Sequence, residues 1–221
     1  MASKAHRVAK GLVGGWALLL GVAVAVSGCA APQYTYIANS SENTYFKVPY
    51  SWHKISDSSL SSELKATNGG GAGWTTAYQA GAKPTAKDFL GFDISKPFVF
   101  AEIGAISSTE SSEMSDSALR DIFLPVSSSA RSSAAEEGFP LTNFKQIHDE
   151  TLKLSQGVHG VREVFDYTYT GGITDTFDEI ALTNRAQSTV YLLVLHCTTS
   201  CYSSDQTQIN DVMSSFTIRS P

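Results

Sequence analysis

The residues with the clearest potential for chemistry are a histidine and two cysteines in the segment HCTTSC, namely His196, Cys197 and Cys201. An imidazole with two thiolates is a soft ligand set that suits Cu(I), and a reduced cysteine pair can also exchange thiols. The same cysteines can instead form a disulfide bond. The chain has only three methionines that could add thioether ligands, which favours the disulfide. His196 itself is predicted to end a strand and to pair with a backbone group.

A second polar group comes from two consecutive predicted strands, with His148 and Asp149 on one and Arg162 and Glu163 on the other. If a two-residue turn joins these strands, His148 lies opposite Glu163, and Asp149 lies opposite Arg162. Such pairs are ordinary electrostatics of a sheet surface and contribute little free energy each. A shift of one residue in the register would undo the pairing.

Four aromatic residues on predicted strands, Trp52, Trp74, Tyr78 and Phe98, could line a groove for a ligand. Large apolar side chains on strands more often belong to the hydrophobic core, and we expect a core role for these four.

Common catalytic motifs are missing from the sequence. It has no G-x-S-x-G, HDETL is not H-E-x-x-H, and the run NGGGAG lacks the lysine of a phosphate-binding loop. We therefore expect a non-enzymatic protein without catalytic residues, cofactor or metal. The 16 basic and 21 acidic residues give a net charge of −5, which also argues against nucleic acid as a partner.

The N-terminus has the pattern of a secretory signal. Lys4, Arg7 and Lys10 precede an apolar, uncharged stretch from residue 11 to 26, which is shorter than the roughly 20 residues needed to cross a membrane. The following motif, Val26 to Cys29, resembles the lipobox of bacterial lipoproteins. This resemblance implies a signal peptide of residues 1–28, cleavage before Cys29 and acylation of its sulfur. An uncleaved anchor that ends at a chance cysteine is the alternative.

Lipidation at Cys29 has consequences for location and for the other cysteines. The protein is expected on the extracytoplasmic side of the cell membrane, held there by acyl chains. Cys197 and Cys201 then remain as a pair in an oxidising compartment, and we predict a disulfide between them. Removing residues 1–28 takes away three of the 16 basic and none of the 21 acidic residues, so the net charge falls from −5 to −8.

The N-terminal half of the mature chain is predicted to alternate short strands, helices and loops. Residues 29–43 are expected to be a tether between lipid and domain. Strands are predicted for 45–49 and 98–106, and Leu60 and Leu64 indicate a short helix. The serine-rich stretch 107–140 is predicted to be an insert with a single helix near Leu119 and a mobile, exposed end.

Four successive strands joined by short turns are predicted for the C-terminal third, which requires antiparallel hairpins. The last of them, around residues 189–197, is apolar on both faces and should be central in the sheet. Asp205 is then expected to cap a helix with one apolar face, formed by Ile209, Val212, Met213 and Phe216.

The order of these elements resembles the PsbP/Mog1-like domain found in actinobacterial lipoproteins. The resemblance rests on F-x-V-P-x-x-W at Phe46 to Trp52, an aromatic strand around Phe165 and Tyr167, and the stretch Ile209 to Phe216. It covers about residues 44–219 and implies one α+β domain, an antiparallel sheet covered by helices. Members of this family are mostly non-enzymatic and bind, assemble or deliver partners, so the resemblance implies an envelope protein as partner.

Overall fold

The computed structural model describes residues 33–67, 73–81 and 83–219. The predicted signal peptide 1–28 and the predicted lipidation site Cys29 lie outside the described residues. All described residues belong to one compact unit, Pro32–Pro221. Within the described part of the chain, no helix combines the length and apolar character needed to cross a membrane.

Two antiparallel sheets form the framework. The large sheet has seven strands in the order β3-β4-β5-β9-β8-β7-β6, and the small sheet has three in the order β1-β2-β10. The strands are β1 Tyr34–Asn39, β2 Thr44–Pro49, β3 Trp52–Lys54, β4 Gly73–Ala80, β5 Phe98–Ala105, β6 Leu141–Lys153, β7 His159–Tyr169, β8 Thr174–Thr183, β9 Thr189–Thr198 and β10 Thr217–Ile218.

Helices cover both faces of the large sheet. Together with the antiparallel sheets, they confirm the predicted α+β class. Short 3-10 turns occur at Ala86–Phe89 and Ser155–Gly157. The helices are α1 Asp57–Thr67, α2 Ser108–Glu113, α3 Asp116–Arg120, α4 Ser128–Glu136, α5 Thr199–Ser204 and α6 Gln206–Met213.

The large sheet separates two apolar cores because successive residues of a strand point to opposite faces. On the face that we call the insert face, Phe98 and Phe100 of β5 pack with Leu60 of α1 and Leu119 of α3. The opposite face, which we call the small-sheet face, is covered by the small sheet and α6, for example by Phe46, Ile209 and Met213.

Strand β9 lies at the centre of the large sheet, as the sequence predicted. Its residues from 190 to 197 are all buried, because both of its faces are covered. The four predicted C-terminal strands are β6 to β9, and each of them pairs antiparallel with the next.

The predicted tether contains a strand. Residues 34–39 form β1, which pairs with β2 and buries Ile37 and Asn39. The segment forms a strand and not a tether because the buried Ile37 alternates with the exposed Tyr36 and Ala38, so that one face of the segment contributes to a core.

The serine-rich stretch 107–140 differs from the predicted mobile insert with one helix. It contains three short helices, α2, α3 and α4, and a serine stands immediately before the first residue of each. The side chains of Ser107, Ser115 and Ser127 accept hydrogen bonds from backbone N–H groups in the first turn of these helices. Serine is a favoured N-cap residue, so the composition that indicated mobility instead fixes helix starts.

The C-terminal helix forms as predicted, with Ile209, Val212 and Met213 buried. Asp205 occupies the position before the helix, but its side chain makes no capping hydrogen bond. The expected capping role of Asp205 is therefore wrong; α6 follows directly on α5.

Candidate functional site

A cleft of about 910 Å³ opens on the insert face of the large sheet. Strands β5 and β9 form its floor. Its walls are formed by the 3-10 turn Ala86–Phe89 and the residues after it, by the segment after α3 and by the segment before β6. The lining includes a set of aromatic and aliphatic side chains: Phe89, Leu90, Phe92, Ile122, Phe123, Leu124, Phe139, Leu141, Tyr169, Val190 and Leu192.

One wall of the cleft is fixed by a buried glutamine. Gln79 on β4 accepts a hydrogen bond from the backbone N–H of Thr85 at 3.0 Å and donates another to Asp88. These bonds hold the 3-10 turn against the sheet and so place Phe89 at the wall. The Phe89 ring packs edge-on against Phe100 with 4.6 Å between ring centroids.

The opposite wall is fixed by Asp121 at the end of α3. Its Oδ1 accepts hydrogen bonds from the backbone N–H groups of Val126 and Ser127, each at 2.7 Å. The loop from Asp121 to Val126 contains Phe123. The hydroxyl of Tyr167 donates a hydrogen bond to the carbonyl oxygen of Pro125 in the same loop. A carboxylate and a buried tyrosine thus order a loop that the sequence analysis placed in the insert.

Aromatic contacts join the two sides of the cleft. The rings of Phe92 and Tyr169 are stacked, with 4.7 Å between centroids. Phe89 and Phe123 meet edge-on at 5.7 Å. Because these rings already contact one another, the cleft is largely pre-formed, which lowers the ordering cost of binding.

Among the described residues, the polar side chains of the lining are those of Thr67, Glu102, Glu110 and Tyr169. Glu102 is half-buried on the floor, on strand β5. Glu110 lies in α2, where the side chain and backbone of Ser107 hydrogen-bond to it and lower its pKa. The cleft therefore combines a predominantly apolar surface with two carboxyl groups, and the part of its lining that the structure describes contains no histidine, cysteine or lysine.

A buried carboxyl pair lies on the same face but does not line the cleft. Glu163 of β7 and Glu179 of β8 are directly paired, and each is about 1% exposed. The Nε of Arg120 lies 2.6 Å from Oε1 of Glu163, and its Nη2 lies 2.9 Å from Oδ1 of Asp149.

Burial raises the pKa of both carboxyl groups of this pair. Burial and Asp149 raise the pKa of Glu163, Arg120 lowers it, and the result is about 7. Burial and the neighbouring Glu163 raise the pKa of Glu179 well above its usual range. Both shifts favour the protonated form of the pair relative to ordinary glutamates.

The hairpin that carries His148, Asp149, Arg162 and Glu163 is shifted by one residue from the predicted register. The predicted pairs of His148 with Glu163 and of Asp149 with Arg162 are therefore wrong. The cause is the turn, which has the three residues Ser155–Gly157 instead of two. The observed partners are Asp149 with Glu163, Glu150 with Arg162, and His148 with Val164.

Cys197 and Cys201 lie at disulfide distance, with 2.13 Å between the sulfur atoms and 5.9 Å between the Cα atoms. The chain turns here from β9 into α5, and the side chain of Thr198 accepts a hydrogen bond from the N–H of Cys201. This geometry supports the predicted pairing, and sulfur atoms bonded to each other in this way are not thiolate ligands for a metal.

His196 does not pair with a backbone group, contrary to the prediction. Its ring is buried and stacked on Phe177 at 5.0 Å, and its Nδ1 lies 3.8 Å from Oδ2 of Asp175. That distance is too long for a hydrogen bond. In the described ranges, no group of three or more His, Cys, Asp or Glu residues is placed to hold a metal ion, so the geometry does not favour the metal interpretation.

The four aromatic candidates belong to the two cores. Trp52, Trp74 and Tyr78 pack on the small-sheet face, whereas Phe98 is buried on the insert face. The core role is confirmed for Trp52 and Phe98, which are buried, whereas Trp74 and Tyr78 are half-buried, pack against the edge of the core and line a polar surface depression. A groove shared by all four is excluded because the large sheet separates Phe98 from the other three.

Sequence reasoning did not identify the cleft, because its lining comes from segments far apart in the chain. A usable signal was present in DFLGF and DIFLPV, which place Phe89, Phe92 and Phe123 in segments without strand alternation. Contiguous apolar surface often marks a binding site.

Comparison with known proteins gives a likeness in fold. No family model and no curated protein matches the sequence. The solution structure of PsbP (CyanoP) from Synechocystis sp. PCC 6803 is 14% identical and covers 90% of this chain and 100% of its own, with a TM-score of 0.48. The Saccharomyces cerevisiae Ran-binding protein Mog1p is 8% identical over 84% of this chain and 95% of its own, with a TM-score of 0.45.

A third similar structure is LpqN of Mycobacterium tuberculosis, described as involved in cell envelope biogenesis. It is 13% identical over 80% of this chain and 83% of its own, with a TM-score of 0.43. The similar structures thus include PsbP and Mog1 folds, as the sequence resemblance implied. At these identities, the activities of the three proteins do not transfer to this chain.

Proposed function

We propose that this chain is a lipid-anchored, non-catalytic binding protein on the extracytoplasmic face of a bacterial cell membrane, and that the apolar cleft is its binding site. The cleft is the observation that carries the proposal. Its volume of about 910 Å³ and its aromatic lining are those of a site for a small molecule. Within the described ranges, the lining has no nucleophile beside a base, which is what a common hydrolytic mechanism would need.

The proposed anchor is the acylated sulfur of Cys29, supported by the motif Val26 to Cys29 after a short apolar stretch. Several acyl chains hold a protein at a membrane, whereas one chain gives only marginal binding. The family resemblance also favours an envelope protein as partner, which would deliver or receive the ligand.

The lining specifies the chemistry of the ligand. Aromatic and aliphatic side chains favour an apolar body, and burying it supplies the binding free energy. Glu102 and Glu110 favour a polar end that donates hydrogen bonds or carries positive charge.

A titration with the neutral apolar dye N-phenyl-1-naphthylamine tests the cleft. We expect saturable dye fluorescence with the full chain, and binding weakened about ten-fold or more in Ile122→Arg, because the guanidinium must lose water to enter an apolar site. Ile122 lines the cleft and is 37% exposed, so the change does not empty the core. Leu154→Arg is the matched control, since Leu154 is also 37% exposed but lies outside the cleft.

A second variant fills the cleft from its floor. A Cβ at Gly104 would meet no atom within 4 Å, so Gly104→Leu extends into open space without displacing a strand. We expect this variant to lose dye binding while its free energy of unfolding stays near that of the wild type. Equal dye binding by the wild type, Ile122→Arg and Gly104→Leu would rule out the cleft as the site.

A further inference from the structure

The outer face of the small sheet carries a cluster of tyrosines that contributes nothing to the cores. Tyr36 is 79% exposed, and Tyr50, in the turn after β2, is 63% exposed. In the β1–β2 pair, Tyr36 lies opposite Lys47, and Tyr34 points to the same face two residues earlier. We call Tyr34, Tyr36, Lys47 and Tyr50 the tyrosine patch.

The patch is ordered by contacts within the domain. The Nζ of Lys47 lies 3.9 Å from the centroid of the Tyr34 ring, a cation–π contact. The Tyr34 hydroxyl donates to Oδ2 of Asp211 at 2.8 Å. Asp211 thus neutralises part of the local positive charge, and the patch presents mainly tyrosine rings and one cation.

The patch lies where the described chain meets the predicted anchor. The backbone N–H of Tyr50 donates to the carbonyl oxygen of Gln33, the first described residue, at 3.0 Å. Gln33 follows Cys29 by four residues, and four residues span at most about 14 Å when fully extended. Acyl chains on Cys29 would therefore hold Tyr50 and its neighbours within a short distance of the bilayer surface.

We propose that the tyrosine patch is the surface by which the anchored domain contacts the headgroup region of the bilayer; this inference rests on the proposed lipid anchor. Tyrosine combines an apolar ring with a polar hydroxyl and is enriched at membrane–water interfaces. Lys47 adds a positive charge to this face, which favours anionic headgroups, in a chain whose net charge is −8 after the proposed cleavage. The acyl chains hold the domain, and the patch sets its orientation.

This orientation places the cleft away from the membrane. The patch is on the outer side of the small sheet, and the cleft is on the insert face of the large sheet, with the large sheet between them. The cleft would then be open to partners in the extracytoplasmic space.

Tyrosine nitration of the acylated full chain in phosphatidylcholine/phosphatidylglycerol vesicles tests the inference. Intact mass first establishes acylation, and peptide mass spectrometry then compares Tyr36 with Tyr169, which is 37% exposed and lies at the end of β7. By exposure alone, Tyr36 reacts faster than Tyr169. We expect the order to reverse in vesicles, because the bilayer covers Tyr36.

Two variants give the test its controls. Tyr50→Asp adds a charge within the patch and should restore fast nitration of Tyr36. Ile147→Asp adds the same charge to β6, the strand at the opposite edge of the large sheet from β3, and should leave Tyr36 protected. If the protein is acylated and Tyr36 is still nitrated faster than Tyr169, the inference is overturned and the anchor stands. The same holds if Tyr50→Asp and Ile147→Asp restore fast nitration of Tyr36 equally. A mass without acyl chains overturns the anchor and the inference together.

Discussion

At the residue scale, the carboxyl pair Glu163 and Glu179 makes stability depend on pH. Both folded-state pKa values lie above the ordinary value of 4.5, so the folded chain keeps protons that the unfolded chain has released. Stability from this pair is present below about pH 4.5 and is lost as the pH rises, through about 7 for Glu163. Arg120 offsets part of the loss once Glu163 ionises.

Glu179→Gln should remove much of this pH dependence, because the amide resembles the protonated acid and does not titrate. A glutamate contributes a slope of up to about 1.4 kcal/mol per pH unit between its unfolded and folded pKa values. Urea unfolding at several pH values from 5 to 8 should therefore show a smaller decline for the variant than for the wild type. The same decline in Glu179→Gln and in the exposed control Glu137→Gln would contradict the assigned shift.

A second residue-scale prediction concerns the small-sheet face. Arg162 donates two hydrogen bonds to Asp178, at 3.0 and 2.8 Å, and the Tyr202 hydroxyl donates a third at 2.9 Å. Asp178 is fully buried, so Arg162→Leu leaves a charge without its main partner and should cost about 3–5 kcal/mol of unfolding free energy. Chemical denaturation measures the loss, and Lys54→Leu, which breaks an exposed pair, should cost little. Similar losses in both variants would refute the prediction.

At the element scale, the backbones of β7 and β8 approach each other closely at Gly160. A Cβ added to Gly160 would lie 2.0 Å from the carbonyl oxygen of Ala181 and 2.8 Å from the Cα of Leu182. The two strands must separate to accept it, and this disturbs the sheet that carries Glu163 and Glu179.

Gly160→Ala should therefore lower the free energy of unfolding by about 3 kcal/mol. Gly171→Ala is the matched control, because a Cβ there meets no atom within 4 Å. Urea denaturation of both variants measures the difference in the free energy of unfolding. Equal losses in the two variants would contradict the claim that the close approach of β7 and β8 excludes a side chain at Gly160.

Much of the framework could be predicted from the sequence. Alternation and short turns gave the antiparallel order β6 to β9, and the doubly apolar strand gave the central position of β9. The register of β6 against β7 was missed by one residue, since Gln156 and Gly157 adopt positive φ angles of 61° and 79° in a three-residue turn. Hydrophobic alternation sets the faces of a strand but not the length of such a turn.

The candidate site was not predictable in the same way. Helices α2 and α4 bury no residue, so they give no periodic apolar signal, and only their serine caps mark them. The cleft depends on Gln79 and Asp121, whose side chains hold backbone groups of segments that follow later in the chain. These contacts span five or six residues in irregular segments, where neither strand alternation nor helical periodicity gives a signal.

At the scale of the whole molecule, the two proposals divide the surface by role. The acyl chains proposed on Cys29 and the tyrosine patch would serve attachment, and the cleft on the other side of the large sheet would serve binding. The net charge of −8 that remains after the proposed cleavage opposes close contact of the remaining surface with anionic lipids. Attachment can thus hold the domain at the membrane while the cleft stays accessible.

The most direct test of the central claim is native mass spectrometry of the full chain extracted from a bacterial membrane, for the wild type, Ile122→Arg and Leu154→Arg. The account predicts loss of residues 1–28, added acyl chains and a further non-covalent mass that Leu154→Arg keeps and Ile122→Arg loses. An unacylated chain would contradict the anchor. A non-covalent mass retained by Ile122→Arg would contradict the cleft as the binding site.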